Sequence, residues 1–372
     1  MGKNELFLIL FILPLLAGCW DERLLKNSRT VYISGFDLDE NGDYQITSII
    51  RDMNISESSR GEISISNELV TGKGGLIKEA SMTIDQSVPG NYDPAKGRTL
   101  ILGIDIAKGD IYNVLDSLYR DPRVDLNAKI AVTDDSANEI ITHLSENEVE
   151  KGEYLYELIH SSEIHSEIQD ITLRSIRTYL FDEGKDFMLP YLSKDEEDNE
   201  VKINGTALFH DHSFTGQFLS TDESTLLLLF METQSKKALL TEQLDKKAGG
   251  SVSYNVKSVS RKLKLEKEEK VHADIMLQLD VEIVDYPPDH LDKQEMINFL
   301  EKRLSKILTE KADALFKKLA ANQSDVLGLG RELIVFHPSI WKEIKGENYY
   351  EHILVNPKVK VNVRRVESFC DH

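Results

Sequence analysis

Two histidines have the side chains and the spacing that most readily suggest chemistry in this sequence. His210 and His212 flank Asp211, and an HxH pair on one strand face can supply two ligands to zinc. A third ligand is not evident nearby, and the three residues lie in a predicted hairpin turn between Gly205–Phe209 and Phe214–Leu219. We therefore predict a solvated polar turn at this position and no metal site.

Other sequence patterns associated with catalysis or ion binding are missing or incomplete. The cluster Gly72–Gly75 contains a lysine but lacks the GxxxxGK[ST] spacing of a phosphate-binding loop. The sequence has no GxSxG nucleophile motif, and the acidic run Asp195–Asp198 lacks the ligand spacing of an EF-hand calcium loop. We predict no catalytic residues, no metal and no cofactor, and therefore a protein that is not an enzyme.

The hydrophobic pattern predicts a mixed α/β N-terminal domain over residues 30–192. Val31–Phe36 and Tyr44–Ile50 flank an Asn-Gly pair, which is a strong signal for a β-hairpin. Farther along, predicted strands alternate with predicted helices, an order typical of mixed α/β architecture. Polar residues at Asn54–Ser64 predict a loop, and Thr71–Gly75 predicts a turn. The remaining predicted elements are strands at Thr99–Ile104 and Ala128–Val132 and helices through Glu79–Ile84, Gly109–Tyr119, Ala137–Leu144 and Tyr154–Phe181.

The rest of the chain is predicted to contain two further domains. The acidic, turn-prone segment Ser193–Glu200 is the predicted linker, because such segments often separate domains. A middle domain is predicted at residues 201–250, which ends in a turn at Ala248–Ser251, and a C-terminal domain at residues 251–372. The predicted fold class is α+β, with three mixed domains built mostly from antiparallel sheets with packed helices.

The C-terminal domain has the most regular pattern. Apolar residues alternate without interruption from Val271 to Ile283, which predicts a long half-buried antiparallel strand. The alternation in the preceding strand changes phase between Val256 and Val259, as a β-bulge would allow. Leu291–Leu319 carries one apolar stripe and is predicted to be a long amphipathic helix, and a last strand is predicted near the end of the chain.

The charge of the chain argues against nucleic acid as a partner. The formal net charge is −20 over 372 residues, and such a chain repels the phosphate backbone and anionic lipid headgroups alike. With 41% hydrophobic residues the chain can bury substantial cores. We expect a folded protein that stands off the membrane surface and has no nucleic-acid partner.

The N-terminus has the pattern of a lipoprotein signal peptide. The apolar run Leu6–Leu16 is shorter than the roughly 20 residues that span a bilayer, and small residues follow it, as in a secretory signal. Leu16-Ala17-Gly18-Cys19 is a lipobox, in which the Cys19 thiolate takes a diacylglyceryl group. Residues 1–18 are therefore the predicted signal peptide, residues 19–29 are a lipid-anchored tether, and Cys370 is left as a free thiol.

Short motifs along the chain resemble one protein family, the Ger(x)C lipoproteins, which are C subunits of spore germinant receptors. The lipobox runs directly into Trp20-Asp21, similar to the GCWD start of that family. The similarity continues over nearly the whole mature chain. Further matching segments are Thr71-Gly72 with Lys78-Glu79-Ala80, Leu102-Gly103 with Ile106–Gly109 and Leu118–Pro122, Asn204–Phe209 with Gly216–Leu219, and Ser324–Gly330 with Pro338 and Trp341.

The resemblance implies a lipid-anchored, non-enzymatic receptor subunit on the outer face of the spore inner membrane. It would act beside the membrane-embedded A and B subunits in sensing nutrient germinants. Trp20 and Asp21 would begin at the membrane surface, where Trp is favoured. The residues taken from the matching motifs are predicted to form structural turns or partner contacts, and they are Arg120, Asp121, Gly205, Asp325, Gly328 and Gly330.

Two other classes of protein remain as alternatives. A lipid-anchored solute-binding protein would capture a nutrient directly, and it would show two similar lobes around a cleft, whereas this sequence shows three unlike segments. An envelope enzyme, such as a wall hydrolase, would need a bound metal or a role for His210 and His212. Ligand titration and mutation of these histidines would separate the alternatives from a receptor subunit.

Overall fold

A computed structural model describes residues 28–55, 63–145, 151–195, 200–244, 250–288, 291–346 and 348–364, which form two β-sheets with flanking helices. The predicted signal peptide and Cys19, Trp20 and Asp21 lie outside these residues, as does the first half of the turn predicted at Ala248–Ser251. The strands are β1 (Ser28–Leu38), β2 (Tyr44–Ile55), β3 (Ile63–Gly74), β4 (Asn91–Asp93), β5 (Thr99–Leu102), β6 (Lys129–Thr133), β7 (Met188–Lys194), β8 (Val201–His210), β9 (Ser213–Leu219), β10 (Leu239–Gln243), β11 (Ser251–Lys267), β12 (Val271–Asp285) and β13 (Ile353–Val363).

The helices lie between the strands of the first sheet and, farther along, within the C-terminal half. They are α1 (Ile77–Ser87), α2 (Ile104–Lys108), α3 (Tyr112–Arg120), α4 (Ala137–Ser145), α5 (Lys151–Ile164), α6 (Leu173–Tyr179), α7 (Thr221–Met231), α8 (Gln294–Ala321), α9 (Leu329–Phe336) and α10 (Pro338–Ile344).

The first sheet has a parallel centre and antiparallel flanks. Its strand order is β3-β2-β1-β5-β6-β7-β8-β9, with β4 beside β1. Strands β1, β5, β6 and β7 run parallel, whereas β2, β3, β8 and β9 pair antiparallel. Helices α1 and α3 pack on one face, and α4 and α5 pack on the other. Every residue of β5 and β6 is buried as a result, as expected for parallel strands covered on both faces.

The predicted hairpin between β1 and β2 is confirmed. The Asp39 carboxylate accepts hydrogen bonds from the backbone N–H groups of Asn41 (2.9 Å) and Asp43 (3.1 Å). Gly42 has φ of +83°, which glycine adopts at little steric cost. The side chain at the start of the turn and the glycine near its end together fix the pairing of the two strands.

The prediction of a turn at Thr71–Gly75 is wrong, because strand β3 continues to Gly74 before α1 begins. The glycines are needed because α1 lies directly on this strand. A Cβ atom at Gly72 would be 2.3 Å from the carbonyl oxygen of Ala80, and one at Gly74 would be 2.7 Å from the Ala80 nitrogen. Glycine here permits close packing of helix on strand rather than a change of direction.

The helical region predicted at Tyr154–Phe181 is two helices with a break. Helix α5 ends at Ile164, Ser166 has φ of +60°, and Thr172 starts α6 as its N-cap. The side chains of Thr172 and Ser175 each accept a hydrogen bond from the other's backbone N–H in a capping box, which defines the new helix start. The sequence pattern does not predict the next strand, β7.

The loop predicted at Asn54–Ser64 is shorter than expected, because its two ends belong to strands β2 and β3.

The second sheet has the order β10-β11-β12-β13. The alternating segment Val271–Ile283 forms β12, and its apolar side chains are buried as predicted. The predicted bulge is present, since the pairing of β11 with β12 shifts between Val256 and Ser258. Strand β12 is antiparallel only to β11, however, because β13 pairs with it in parallel. The long connection that a parallel pair requires contains α8, which covers the buried face of the sheet.

Helix α8 also supplies hydrogen-bond acceptors to the outer edge of β13. Three alternate backbone N–H groups of the strand donate to three side chains that are spaced four residues apart on the helix. The pairs are Val359 with Thr309 Oγ1 (3.0 Å), Val361 with Ser305 Oγ (2.9 Å) and Val363 with Glu301 Oε1 (2.9 Å). The sheet edge is thereby paired without a further strand.

The segment predicted as a middle domain is divided between the two sheets. Strands β8 and β9 belong to the first sheet and β10 to the second, while α7 lies between them in sequence. The buried residues of α7 pack in one core with residues of both sheets. The α+β class is confirmed, and the number and limits of the domains stay a prediction.

Candidate functional site

A buried carboxylate, Asp325, organises the turn between α8 and α9. Its side chain has no solvent exposure. Oδ1 accepts hydrogen bonds from the N–H groups of Gly328 and Leu329 (both 2.9 Å), and Oδ2 accepts one from Gly330 (2.7 Å). Gly328 has φ of +79°, where a side chain would be strained. Asp325 thus satisfies N–H groups at the start of α9 that the helix itself cannot pair.

The same turn is hydrogen-bonded to the segment that leads into β7. The Asp325 N–H donates to Asp186 Oδ2 (2.7 Å), and the Asp186 N–H donates to the Asp325 carbonyl (3.0 Å). The Arg331 N–H donates to the carbonyl of Gly184 at 2.8 Å. A Cβ atom at Gly330 would be 2.9 Å from Gly184 Cα. The first sheet and the C-terminal half therefore meet at a contact too close for side chains.

Tyr349 completes this arrangement from the loop before β13. Its hydroxyl donates to Asp325 Oδ2 at 2.9 Å, and its ring packs on Gly330 and edge-on against Trp341, with centroids 5.0 Å apart. We call the set Gly184, Asp186, Asp325, Gly330 and Tyr349 the Asp325 junction. It is a fixed connection between the two halves of the chain.

Burial changes the ionisation of the Asp325 junction. The pKa of Asp325 is raised to about 6, chiefly by desolvation and also by the neighbouring carboxylate of Asp186, against the lowering effect of the hydrogen bonds from Gly330, Leu329 and Tyr349. Burial also raises the pKa of the Tyr349 hydroxyl, which therefore keeps its proton and can donate it to Asp325. This set of donors stabilises the buried charge.

The raised pKa of Asp325 predicts a pH-dependent stability. A carboxyl group that binds its proton more tightly in the folded protein than in the unfolded chain favours folding when it is protonated. Its contribution is complete below pH 3.8, the unfolded value, and is lost as the pH rises through about 6. We expect a loss of about 1 kcal/mol between pH 5 and pH 7. Denaturant titrations of the protein and of Asp325→Asn at both pH values test this, and an equal pH slope in the two proteins would contradict it.

The histidine pair does not converge on one site. His212 Nε2 lies 3.1 Å from the Leu180 carbonyl, whereas His210 Nδ1 lies 3.4 Å from Asp186 Oδ2. Asp211, with φ of +51°, occupies the predicted turn between β8 and β9. Among the described residues, Asp186, His210 and Asp211 are close enough to share a metal ion. The Asp186 oxygens already accept two backbone N–H groups, so this cluster also has a structural explanation.

The Arg120–Asp121 motif ends helix α3 at the mouth of a cleft. Arg120 is exposed and pairs with Asp116 on its own helix at 2.8 Å. Asp121 accepts hydrogen bonds from the backbone N–H of Arg123 (3.0 Å) and from its guanidinium (2.7 Å). These bonds stop the helix, and they lower the pKa of Asp121. Both motif residues, with Lys78 of α1, line a cleft of about 680 Å³ between α1 and α3.

Gly205 lies in strand β8, where no side chain fits. Its φ is +126°, and a Cβ atom would be 1.9 Å from the Leu219 carbonyl oxygen. The pairing of β8 with β7 shifts register at this point, between Tyr191 and Leu192. Gly205 therefore has a backbone role. The structure brings Asp325, Gly328 and Gly330 together, whereas it places Gly205 and the Arg120–Asp121 motif elsewhere.

Sequence reasoning missed three members of the Asp325 junction: Gly184, Asp186 and Tyr349. Asp186 precedes Asp325 by 139 residues, and no motif spacing joins them. No sequence signal near Tyr349 indicates its contact with Asp325, and the buried hydroxyl of the adjacent Tyr350 has no hydrogen-bond partner among the described residues. Contacts with partner proteins at any of the predicted site residues stay a prediction.

Two family models together match nearly the whole chain. "Spore germination protein N-terminal domain" matches residues 21–194, and "Spore germination B3/GerAC like, C-terminal" matches residues 204–367. The unmatched residues, 195–203, overlap the predicted acidic linker Ser193–Glu200. The chain therefore belongs to the GerAC-like family of spore germination proteins.

Curated relatives and a solved structure agree with this assignment. Spore germination protein GerQC of Bacillus cereus is 24% identical over 371 residues, which cover 98% of each chain. Spore germination protein A3 of Bacillus subtilis (strain 168) is 22% identical, with 94% of each chain covered. The crystal structure of the GerBC protein has the same fold, with a TM-score of 0.59, 15% identity and coverage of 93% of this chain and all of that one.

Within the part of the chain that the structure describes, no helix has the length and hydropathy needed to cross a membrane.

Proposed function

We propose that this protein is the lipid-anchored C subunit of a nutrient germinant receptor. Cys19 carries the lipid and holds the folded part at the outer face of the spore inner membrane, beside the membrane-embedded A and B subunits. The observation that carries the proposal is the family match over residues 21–194 and 204–367, which begins two residues after the lipobox cysteine. Two or three acyl chains, at about 0.8 kcal/mol per buried methylene, suffice for stable anchoring.

The Asp325 junction supports a mechanical and assembly role rather than a chemical one. It joins the segment before β7 to the turn between α8 and α9 through backbone hydrogen bonds and contacts between glycines, which would restrict movement of the two halves relative to each other. A subunit anchored at its N-terminus can then present the C-terminal half at a fixed place relative to its membrane partners. In this proposal Trp20 and Asp21 lie at the membrane surface, and the protein supports receptor assembly and germination signalling without catalysing a reaction.

The cleft beside Arg120 favours one second candidate, a lipid-anchored protein that captures a small molecule itself. Its volume of about 680 Å³ falls within the range of roughly 300–1,000 Å³ usual for small-molecule sites. Ligand binding by the isolated protein would be compatible with a receptor subunit that also contacts a ligand, and would count against a purely structural subunit.

Spores carrying Cys19→Ala test the proposed anchor. We expect the protein to leave the membrane fraction and nutrient germination to fail, while a trigger that bypasses nutrient receptors still works. Cys370→Ala is the matched control, because the chain has two cysteines and the other lies near the C-terminus. A Cys19→Ala protein that stays in the membrane fraction, in spores that germinate normally on nutrients, would exclude Cys19 as the functional anchor.

A further inference from the structure

The cleft between α1 and α3 is a recess at the protein surface, above one face of the first sheet. Its floor is formed by the sheet and its walls by the first turns of α1 and the end of α3. The cleft is open to solvent, and covering its apolar floor with an apolar ligand is favourable by roughly 25 cal/mol per Å² of buried surface. Most of the apolar lining residues are less than 10% exposed, and these include Val31, Phe36, Ile46, Ile77, Leu100 and Leu118. A recess of about 680 Å³ with this lining fits an apolar ligand body.

Cations outnumber carboxylates among the residues that line the mouth of the cleft. Lys78, Arg120 and Arg123 line it together with a single carboxylate, Asp121. The chain carries a formal net charge of −20, and Asp116, just outside the lining, pairs with Arg120, so Lys78 is the cation that remains most available. A loosely paired lysine at the mouth over an apolar floor is complementary to a molecule with an apolar body and an anionic head.

The ion pairs of the charged residues at the mouth indicate how many charges the head group of the ligand carries. Asp121 and Arg123 form a two-point ion pair, and Arg120 pairs with Asp116. Lys78 makes the looser contact, with its Nζ 3.9 Å from Asp121 and its side chain 63% exposed. The Lys78 ammonium group therefore has N–H donors available for a ligand. A single available lysine matches a ligand head group with one negative charge. An ammonium group on the ligand would find Asp121 already occupied, which disfavours amino-acid zwitterions.

We propose that this cleft binds a small monocarboxylate with an apolar hydrocarbon body, its carboxylate on Lys78 and its body on the floor formed by Val31, Phe36 and Leu100. The proposal is independent of the receptor assignment, because it concerns binding by the protein alone. Anionic lipid of the surrounding bilayer offers a related head group, and a phosphate probe distinguishes it.

The test is calorimetric titration of the whole chain, carrying Cys19→Ala so that no acyl group is attached, with decanoate as the probe. Three probes share the ten-carbon chain and differ in the head group. Decanol is uncharged, decyltrimethylammonium is positively charged, and decyl phosphate carries a phosphate. We expect saturable decanoate binding that is about three- to tenfold tighter than decanol binding, and no binding of the cation. Equal binding of decanoate and decanol, or no saturable decanoate binding, would overturn the proposal. Tighter binding of decyl phosphate than of decanoate would mean that the cleft prefers a phosphate head group, and it would also overturn the proposal.

Two kinds of variant locate the binding. Lys78→Gln should weaken decanoate about three- to tenfold and leave decanol unchanged. Lys73→Gln is the control, because Lys73 is similarly exposed and also pairs with one aspartate, Asp39, but lies outside the cleft. Ser117→Trp fills the cleft and should abolish binding of both probes. If the Ser117→Trp variant does not fold, the comparison of Lys78→Gln with Lys73→Gln still tests the site. An equal loss of decanoate affinity in both lysine variants would contradict the proposed site.

Discussion

Replacing Asp325 by alanine is expected to lower the free energy of unfolding by about 4 kcal/mol or more. The substitution removes the acceptor for the buried N–H groups of Gly328, Leu329 and Gly330 and for the Tyr349 hydroxyl. Each buried donor left without a partner costs roughly 1–3 kcal/mol. Denaturant unfolding at pH 7 measures the loss, and in spores we expect a lower amount of the protein and slower nutrient germination.

Two milder substitutions separate the hydrogen bonds of Asp325. Asp325→Asn keeps one acceptor oxygen and should lose about half as much stability, and Tyr349→Phe removes one bond and should lose about 1 kcal/mol. We therefore expect Asp325→Ala to be the most destabilising substitution, Asp325→Asn to be intermediate and Tyr349→Phe to be the mildest. If Asp325→Asn were as stable as the unchanged protein, the bonds to Oδ2 would contribute little, and the Asp325 junction would depend on packing instead.

Replacing Gly205 by alanine is expected to cost at least about 3 kcal/mol. A Cβ atom there would lie 1.9 Å from the Leu219 carbonyl oxygen and 2.8 Å from the Ser220 carbonyl carbon, and both are backbone atoms that cannot rotate away. Strand β8 would have to separate from β9, which begins a few residues later in the same hairpin. Thermal and denaturant unfolding of purified protein measure the effect.

Gly216→Ala is the control for backbone strain alone. Gly216 also has positive φ, at +82°, but no atom lies within 4 Å of the position that the alanine methyl group would take. We expect this substitution to cost only about 1 kcal/mol. Equal losses at Gly205 and Gly216 would mean that left-handed backbone conformation, and not the contact with the end of β9, explains the glycine at position 205.

The elements that the sequence predicts well are those whose pattern is local. The β1–β2 hairpin follows from one turn, β12 from strict alternation, and α8 from one apolar stripe. Even the bulge near Val256 is visible as a change of phase, because a half-buried strand must return its apolar residues to one face. These features depend on residues within a few positions of one another.

The elements that the sequence predicts poorly are those decided by distant partners. Thr71–Gly74 has the composition of a turn, and only the position of α1 shows that its glycines make room for a helix. Nothing near β13 indicates that it pairs in parallel with β12. For the same reason Asp325 is predictable as a helix-capping carboxylate, whereas its partner Asp186 is not, since their contact spans 139 residues.

The parallel pairing of β12 with β13 determines the order in which the second sheet can form. Contacts in this pair join distant residues, such as Asn356 and Asp274, which are separated by 82 positions. Helix α8 lies between them in sequence, so the pair can form only after that whole segment has been synthesised. Chains dominated by such distant pairings fold slowly, and a nascent or truncated chain that lacks Ile353–Val363 leaves β12 with an unpaired, apolar-faced edge. The edge of β12 therefore stays unpaired until the last strand of the chain, β13, has been made and has paired with it.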